Sequence, residues 1–74
     1  MKNYTLVTSD GEETTADVLE LEEMQKFVGG YIEHFDNKFC NEDGIRLNLP
    51  RNVKYPNFRG NIIIENRWKS NRFE

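Results

Sequence analysis

The chain has 74 residues and a formal net charge of −3, and 36% of its residues are apolar and 31% are charged. This length allows one small domain that buries little surface, and the single cysteine, Cys40, excludes an internal disulfide and a cysteine-rich zinc site. No apolar run reaches the roughly 18 residues of a membrane span, and the start has no signal-peptide core. A lone thiol fits a reducing compartment. We therefore expect a cytoplasmic protein that binds no membrane.

The first elements along the chain are predicted to be a β-hairpin. Residues 4–8 are β-branched and aromatic, which is typical of a strand. Asp10 and Gly11 favour a tight type I′ turn. Residues 13–18 then predict a return strand, whose acidic side chains suit a solvent-facing sheet edge.

Residues 21–28 predict a short helix. An apolar stripe at helical spacing consists of Leu21, Met24, Phe27 and Val28. Gly29 ends the helix, because a residue without Cβ adopts the left-handed conformation freely. Gly30 then turns the chain into a strand over residues 31–35. Glycine-rich loops also bind phosphate, but such loops normally precede a helix rather than follow one, so the helix-ending role is favoured.

The second half of the chain predicts further strands. In order, we expect a turn (36–38), an extended stretch (39–40), a tight loop (41–44), a strand (45–49), an irregular stretch (51–60) and a strand (62–64). The strand over 45–49 follows from unbroken apolar alternation, which predicts one buried and one exposed face. The run 62–64 is the most apolar of the chain and is predicted to be the central strand, against which the helix packs.

These elements predict one α+β domain over residues 1–66, a small antiparallel sheet with one short helix packed on one face, and a basic, aromatic tail over residues 67–74. Charge is divided along the chain: residues 1–43 carry eleven acids and three bases, and residues 44–74 carry seven bases and two acids. The two halves either attract each other within the fold or in a dimer, or one of them meets an anionic partner.

The motifs also resemble a known family. Leu-x-x-Met-Gln-x-x-Val-Gly-Gly-Tyr-Ile-Glu, then Asn-Glu-Asp-Gly, Leu-Pro-Arg-Asn and Gly-Asn-Ile-Ile-Ile, look like domain-of-unknown-function family 3846, small proteins common in bacteriophages and mobile elements. The resemblance covers about residues 19–65. It implies a small α+β domain of viral or plasmid origin, and it implies no reaction and no ligand. The basic tail after Glu65 looks like an addition to the family pattern.

Polar residues near the tight loop are candidates for ligand binding. Asn41 and Glu42 lie on the loop and Asn52 follows Pro50. Their side chains either read the hydrogen-bonding edge of a ligand or satisfy the backbone of their own turns. If the three converge, they form one polar patch beside Tyr31.

A cationic surface is predicted next to that loop. On an alternating strand over 45–49 Arg46 points away from the core, where it could share a surface with Arg51; Lys54 and Arg59 follow. Such a patch suits a small anionic ligand or an acidic protein surface better than bulk duplex DNA, because the acidic half would repel a long polyanion.

The tail interleaves cations with Trp68 and Phe73, a composition that suits nucleic acid, an acidic protein or a second subunit, and equally a frayed, solvated terminus. Metal binding is not expected, because His34, Asp36 and Cys40 match no standard spacing. Catalysis is not expected either: Cys40 with His34 is the one conceivable nucleophile and base, and a buried thiol is the better interpretation.

The sequence therefore predicts a small non-enzymatic binding protein without a cofactor, acting in the host cytoplasm as a homodimer or larger assembly. It would inhibit or sequester a host component, either an acidic protein surface or a small anionic, nucleotide-like ligand. The alternative is a nucleic-acid-binding protein that uses the basic C-terminal half. The candidate binding residues are Tyr31, Asn41, Glu42, Arg46, Arg51, Asn52 and Trp68.

Overall fold

A computed structural model describes residues 3–66 of the chain. The elements are β1 (Tyr4–Val7), β2 (Glu13–Ala16), α1 (Leu21–Val28), β3 (Ile32–Phe35), β4 (Lys38–Asn41) and β5 (Ile62–Glu65). The strands form one antiparallel sheet in the order β2-β1-β5-β4-β3. This arrangement confirms the predicted α+β class. Within this part of the chain no helix is long and apolar enough to cross a membrane.

β5 is the central strand, as predicted, and its alternating side chains build two small cores. Ile63 packs with Met24 and Val28 of α1 on one side, called here the helix face. Ile62 packs with Val7 and Cys40 on the other side, called here the loop face. Both isoleucines are fully buried, and burial of such a side chain stabilises the fold by about 1.5–3 kcal/mol.

The end of α1 is held by three separate contacts. Gly29 adopts a left-handed conformation with φ of 88°, and its N–H donates to Gln25 O at 2.8 Å, which confirms its predicted role. Asn41 Nδ2 donates to Val28 O at 3.0 Å, and Asn61 Nδ2 donates to Phe27 O at 2.9 Å. The last carbonyls of a helix have no partner within it, so these two amides take the place of water.

The first turn of α1 departs from the prediction at one residue of the apolar stripe. Glu23 Oε1 accepts from the backbone N–H of Glu20 at 2.8 Å, which fixes the first turn. Leu21 was predicted to face the core, but it is 57% exposed. Leu19, just before the helix, packs against the helix-face core instead.

The two hairpins have different turns. Val7 pairs with Glu13, so the first loop contains five residues and is longer than the predicted type I′ turn; Gly11 supplies its positive φ of 98°. β3 and β4 are joined by only two residues, Asp36 and Asn37, in the place where a turn was predicted, and Asp36 has a φ of 57°.

The predicted strand over 45–49 is wrong, because residues 42–48 form successive turns. The N–H of Leu47 donates to Asp43 O at 2.8 Å and the N–H of Asn48 donates to Ile45 O at 2.9 Å, and such short-range bonds coil the chain. Ile45, predicted to face the core, is 80% exposed. The apolar alternation misled because these residues close hydrogen bonds within their own segment instead of pairing with an edge strand of the sheet.

The irregular stretch predicted after Pro50 covers the loop face of the sheet. Tyr55 and Phe58 pack against the core around Ile62. Asn52 is fully buried and holds the stretch in place: its Nδ2 donates to Thr8 O and Gly60 O, and its Oδ1 accepts from two backbone N–H groups of the next turn. The two sheet faces are therefore covered differently, one by a helix and one by a loop.

Candidate functional site

A cleft of about 460 Å³ opens on the loop face, between β3 and β4 on one side and the covering loop on the other. It is called here the loop-face cleft. The side chains that give it its chemistry are Glu33, Phe35, Glu42, Arg51, Phe58 and Arg59.

Two arginines form the loop wall of the cleft. Arg51 and Arg59 are partners in an isolated antiparallel bridge, so their backbones face each other directly. Arg51 Nη1 donates to Pro56 O at 3.1 Å, and Arg59 Nη1 donates to Leu49 O at 3.2 Å. These carbonyls orient the guanidinium groups, each of which has further N–H donors.

No carboxylate neutralises this arginine pair within residues 3–66. The ion pairs described there are Arg46 with Asp43, at 3.1 Å, and Lys54 with Glu13, at 3.0 Å. Two arginines on paired backbone positions, neither of them in an ion pair within residues 3–66, form a site suited to an anion, because a guanidinium binds phosphate or carboxylate oxygens through paired N–H donors.

Two carboxylates line the sheet wall. Glu33 lies opposite Cys40 in the pairing of β3 with β4. The N–H of Glu42 donates to Tyr31 O at 2.9 Å, which continues the same pairing beyond the strand ends. Burial, and then the negative charge of Glu33, raise the pKa of the Cys40 thiol.

Two aromatic rings also line the cleft. Phe35 is 61% exposed although it is a large apolar side chain. Its ring centroid lies 6.4 Å from that of Phe58, and the two rings are inclined by 55°. An exposed ring in a cleft offers a stacking surface to a planar ligand.

The cleft brings together some of the predicted site residues. Glu42 and Arg51 lie on its two walls, and Asn41 lies beside them. The Asn41 amide is already used within the fold, since it also accepts from the N–H of Asp43 at 2.7 Å. Asn52 is buried, and its amide forms hydrogen bonds to backbone groups. The predicted polar patch of Asn41, Glu42 and Asn52 beside Tyr31 is therefore not formed, because both amides bind backbone groups instead.

The other predicted residues lie elsewhere. Arg46 is outside the cleft and is paired with Asp43, whose hydrogen bond and charge raise the pKa of the Arg46 guanidinium. Tyr31 is exposed and does not line the cleft. Trp68 and the rest of the tail over residues 67–74 lie outside the described residues.

Four cleft residues were missing from the predicted binding set: Glu33, Phe35, Phe58 and Arg59. For Glu33 and Phe35 a signal existed, because residues two apart on a strand share a face. For Phe58 and Arg59 no pattern indicates which side of an irregular loop faces the sheet.

His34 and Cys40 do not form a catalytic pair. The His34 ring stacks on Phe39, with centroids 4.3 Å apart, and Phe39 belongs to the helix-face core. Cys40 belongs to the loop-face core, so the sheet lies between the two side chains. Within the described part of the chain, no three His, Cys, Asp or Glu side chains are grouped as metal ligands would be.

Comparison with known proteins identifies the family. Searches of curated proteins and of solved structures returned no match. The family model described as "Domain of unknown function (DUF3846)" matches residues 1–71. The match extends beyond the motifs over residues 19–65 at both ends, so most of the tail belongs to the family pattern rather than being an addition to it. Because the model covers nearly the whole sequence, this chain belongs to the DUF3846 family.

Proposed function

We propose that this chain is a non-enzymatic binding protein of a phage or mobile element, and that it sequesters a small anionic, nucleotide-like ligand of the host cytoplasm in the loop-face cleft. The observation that carries the proposal is the facing pair Arg51 and Arg59, which lies in a cleft without a carboxylate partner among the described residues. An anion bound between them relieves the repulsion of two like charges.

The shape and the rings of the cleft favour a small planar molecule. A cleft of about 460 Å³ is within the range of small-molecule sites, which measure roughly 300–1,000 Å³. Phe35 and Phe58 line it, and stacking of a base on an aromatic ring contributes about 1–3 kcal/mol. A ligand with both a phosphate and a planar ring would use both features.

An acidic protein surface fits the same cleft less well. Glu33 and Glu42 share it with the arginines and would repel a broad acidic surface laid across the opening. A small ligand places its anion at the arginine wall alone. Screening beyond about 10 Å then leaves the other, more distant acidic residues of the N-terminal half with little influence.

The test is a titration of ¹⁵N-labelled protein with AMP, GMP, CMP, UMP and the matching nucleosides, followed by NMR. We expect shifts at cleft residues that are larger for a nucleotide than for its nucleoside. Arg51→Gln should reduce the nucleotide affinity towards that of the nucleoside, because the phosphate loses one of its two charged partners.

Arg46→Gln is the matched control, since it makes the same chemical change outside the cleft, and it should bind as the wild type does. Melting curves of both variants establish that each is folded. The proposal fails if no nucleotide shifts a cleft residue at millimolar concentration, or if Arg51→Gln and Arg46→Gln bind equally well.

A further inference from the structure

The charges of the loop-face cleft are separated onto opposite walls. Arg51 and Arg59 come from the covering loop, and Glu33 and Glu42 come from the sheet side. The four formal charges sum to zero, so the anion is selected at the arginine wall and the sheet wall selects a different part of the ligand. The cleft selects a ligand that carries negative charge at one end and hydrogen-bond donors at the other.

Glu33, the carboxylate that would accept hydrogen bonds from the ligand, lies on the same strand as Phe35, the ring on which the ligand would stack. Glu33 and Phe35 are two residues apart on β3 and therefore share the loop face, with about 7 Å between their positions along the strand. A planar ring stacked on Phe35 thus has one edge within reach of the Glu33 carboxylate. Both side chains are exposed and line the cleft, so this edge is accessible from solvent.

An ionised carboxylate only accepts hydrogen bonds, through two oxygens side by side. Among the common bases, guanine alone presents two adjacent donors on one edge, N1–H and the N2 amino group. Adenine and cytosine each place a ring-nitrogen acceptor beside the amino donor, and that lone pair repels the second oxygen. Uracil has one N–H between two carbonyl oxygens.

We infer that the ligand of the loop-face cleft is a guanine nucleotide, whose base stacks on Phe35 and donates from N1–H and N2 to Glu33, while its phosphate binds Arg51 and Arg59. This inference rests on the proposed function and specifies the ligand class for the same site. Arg59 Nη1 donates to Leu49 O and to Asn48 Oδ1, the latter at 3.5 Å, and the guanidinium has further N–H donors for the phosphate.

The test compares the dissociation constants of GMP, AMP, CMP and UMP for the full chain by NMR titration. We expect GMP to bind at least about fivefold more tightly than the other three, the lower end of discrimination by a bidentate contact. Inosine monophosphate, which keeps N1–H and lacks the N2 amino group, should bind between GMP and AMP.

Glu33→Gln provides a sharper readout than loss of binding. A Gln amide offers one acceptor and one donor, which pair with an adjacent donor and acceptor on any of the four bases, so this variant should lose the preference for GMP. Glu22→Gln on α1, remote from the cleft, removes the same charge and should keep the wild-type order.

The outcomes separate the two proposals. Equal binding of all four nucleotides by the wild type, or an unchanged preference for GMP in Glu33→Gln, overturns the guanine assignment and leaves the proposed function standing. Absence of cleft shifts with every nucleotide overturns both. If Glu33→Gln were unfolded, the order of GMP, inosine monophosphate and AMP on the wild type would still decide the assignment.

Discussion

Asparagine amides connect separate elements of this small fold. Asn41 joins the end of α1 to β4, and Asn61 joins it to the start of β5. Asn52 joins the covering loop to the end of β1. A buried amide left without a partner costs about 1–3 kcal/mol, so the buried Asn41 and Asn52 matter in a domain whose two cores contain only three buried residues each. Asn41 and Asn52 were predicted from the sequence to bind a ligand, but in the structure their side chains bind backbone groups of the fold.

Gly29→Val should lower the free energy of unfolding by more than about 1 kcal/mol, because a β-branched residue resists a positive φ. An added Cβ would have only an ordinary contact with Asn41 Nδ2 at 3.8 Å, so the loss measures backbone strain rather than a clash. Urea denaturation gives the value. Gly29→Asn is the control and should lose less, since Asn tolerates this conformation. A Val variant that unfolds with the wild type would contradict the assignment.

The Cys40 thiol should make the fold less stable in alkali. Burial, and then the charge of Glu33, raise its pKa in the folded protein above the ordinary 9.0. Above that ordinary value the unfolded chain loses the thiol proton while the folded chain keeps it, so stability decreases as the pH rises towards the folded pKa.

Urea denaturation of the wild type and of Cys40→Ala at several values between about pH 8 and 10 measures this effect. The stability of the wild type should decrease more steeply with pH than that of the variant, and contributions common to both proteins cancel in the difference. Parallel curves would show that Cys40 is not the group responsible.

At the level of elements, the sequence allowed the helix, the central strand and the fold class to be predicted. The helix ends at a paired glycine and its stripe has helical spacing, and β5 is the most apolar run; both signals are local. The segment over 45–49 could not be predicted correctly, because alternation does not show whether a segment pairs with a sheet edge or closes short-range bonds within itself, and that depends on the whole fold. The cleft could not be predicted for the same reason, since it forms where an irregular loop crosses β3 and β4.

A pair of matched substitutions tests this corrected element. Ile63→Ala removes a fully buried side chain of β5 and should cost about 2–5 kcal/mol or unfold the domain. Ile45→Ala removes the same atoms from an exposed turn and should change stability by no more than about 0.5 kcal/mol. Urea denaturation without ligand measures both. A large loss of stability in Ile45→Ala would contradict the exposed turn and support the predicted buried strand over 45–49.

The whole molecule exposes several large apolar side chains, which is consistent with self-association. Val18, Tyr31, Ile45 and Val53 are each at least 66% exposed, and a domain of this size buries a small share of its surface. We predict a homodimer or larger assembly. Sedimentation equilibrium should give a mass above that of one chain at micromolar concentration, and the single-chain mass throughout would contradict the prediction.

The arrangement of charge over the whole molecule bears on the nucleic-acid alternative. Of the cations in the basic half that the structure describes, Arg46 and Lys54 are paired with carboxylates, and Arg51 and Arg59 share a cleft with Glu33 and Glu42. Duplex DNA needs a row of cations that each displace counterions from a phosphate, and these four do not form one.

We therefore predict no tight binding of random duplex DNA in about 150 mM salt, where charges are screened beyond about 8 Å. Fluorescence anisotropy of a labelled duplex measures this, and a truncated chain ending at Asn66 serves as the control for the cationic tail. Weak binding that disappears in the truncated chain would assign residual DNA affinity to the tail, and the loop-face cleft would keep its role. Nanomolar binding that survives truncation would contradict this charge argument, because the folded domain would then present a phosphate-binding surface despite its acidic half.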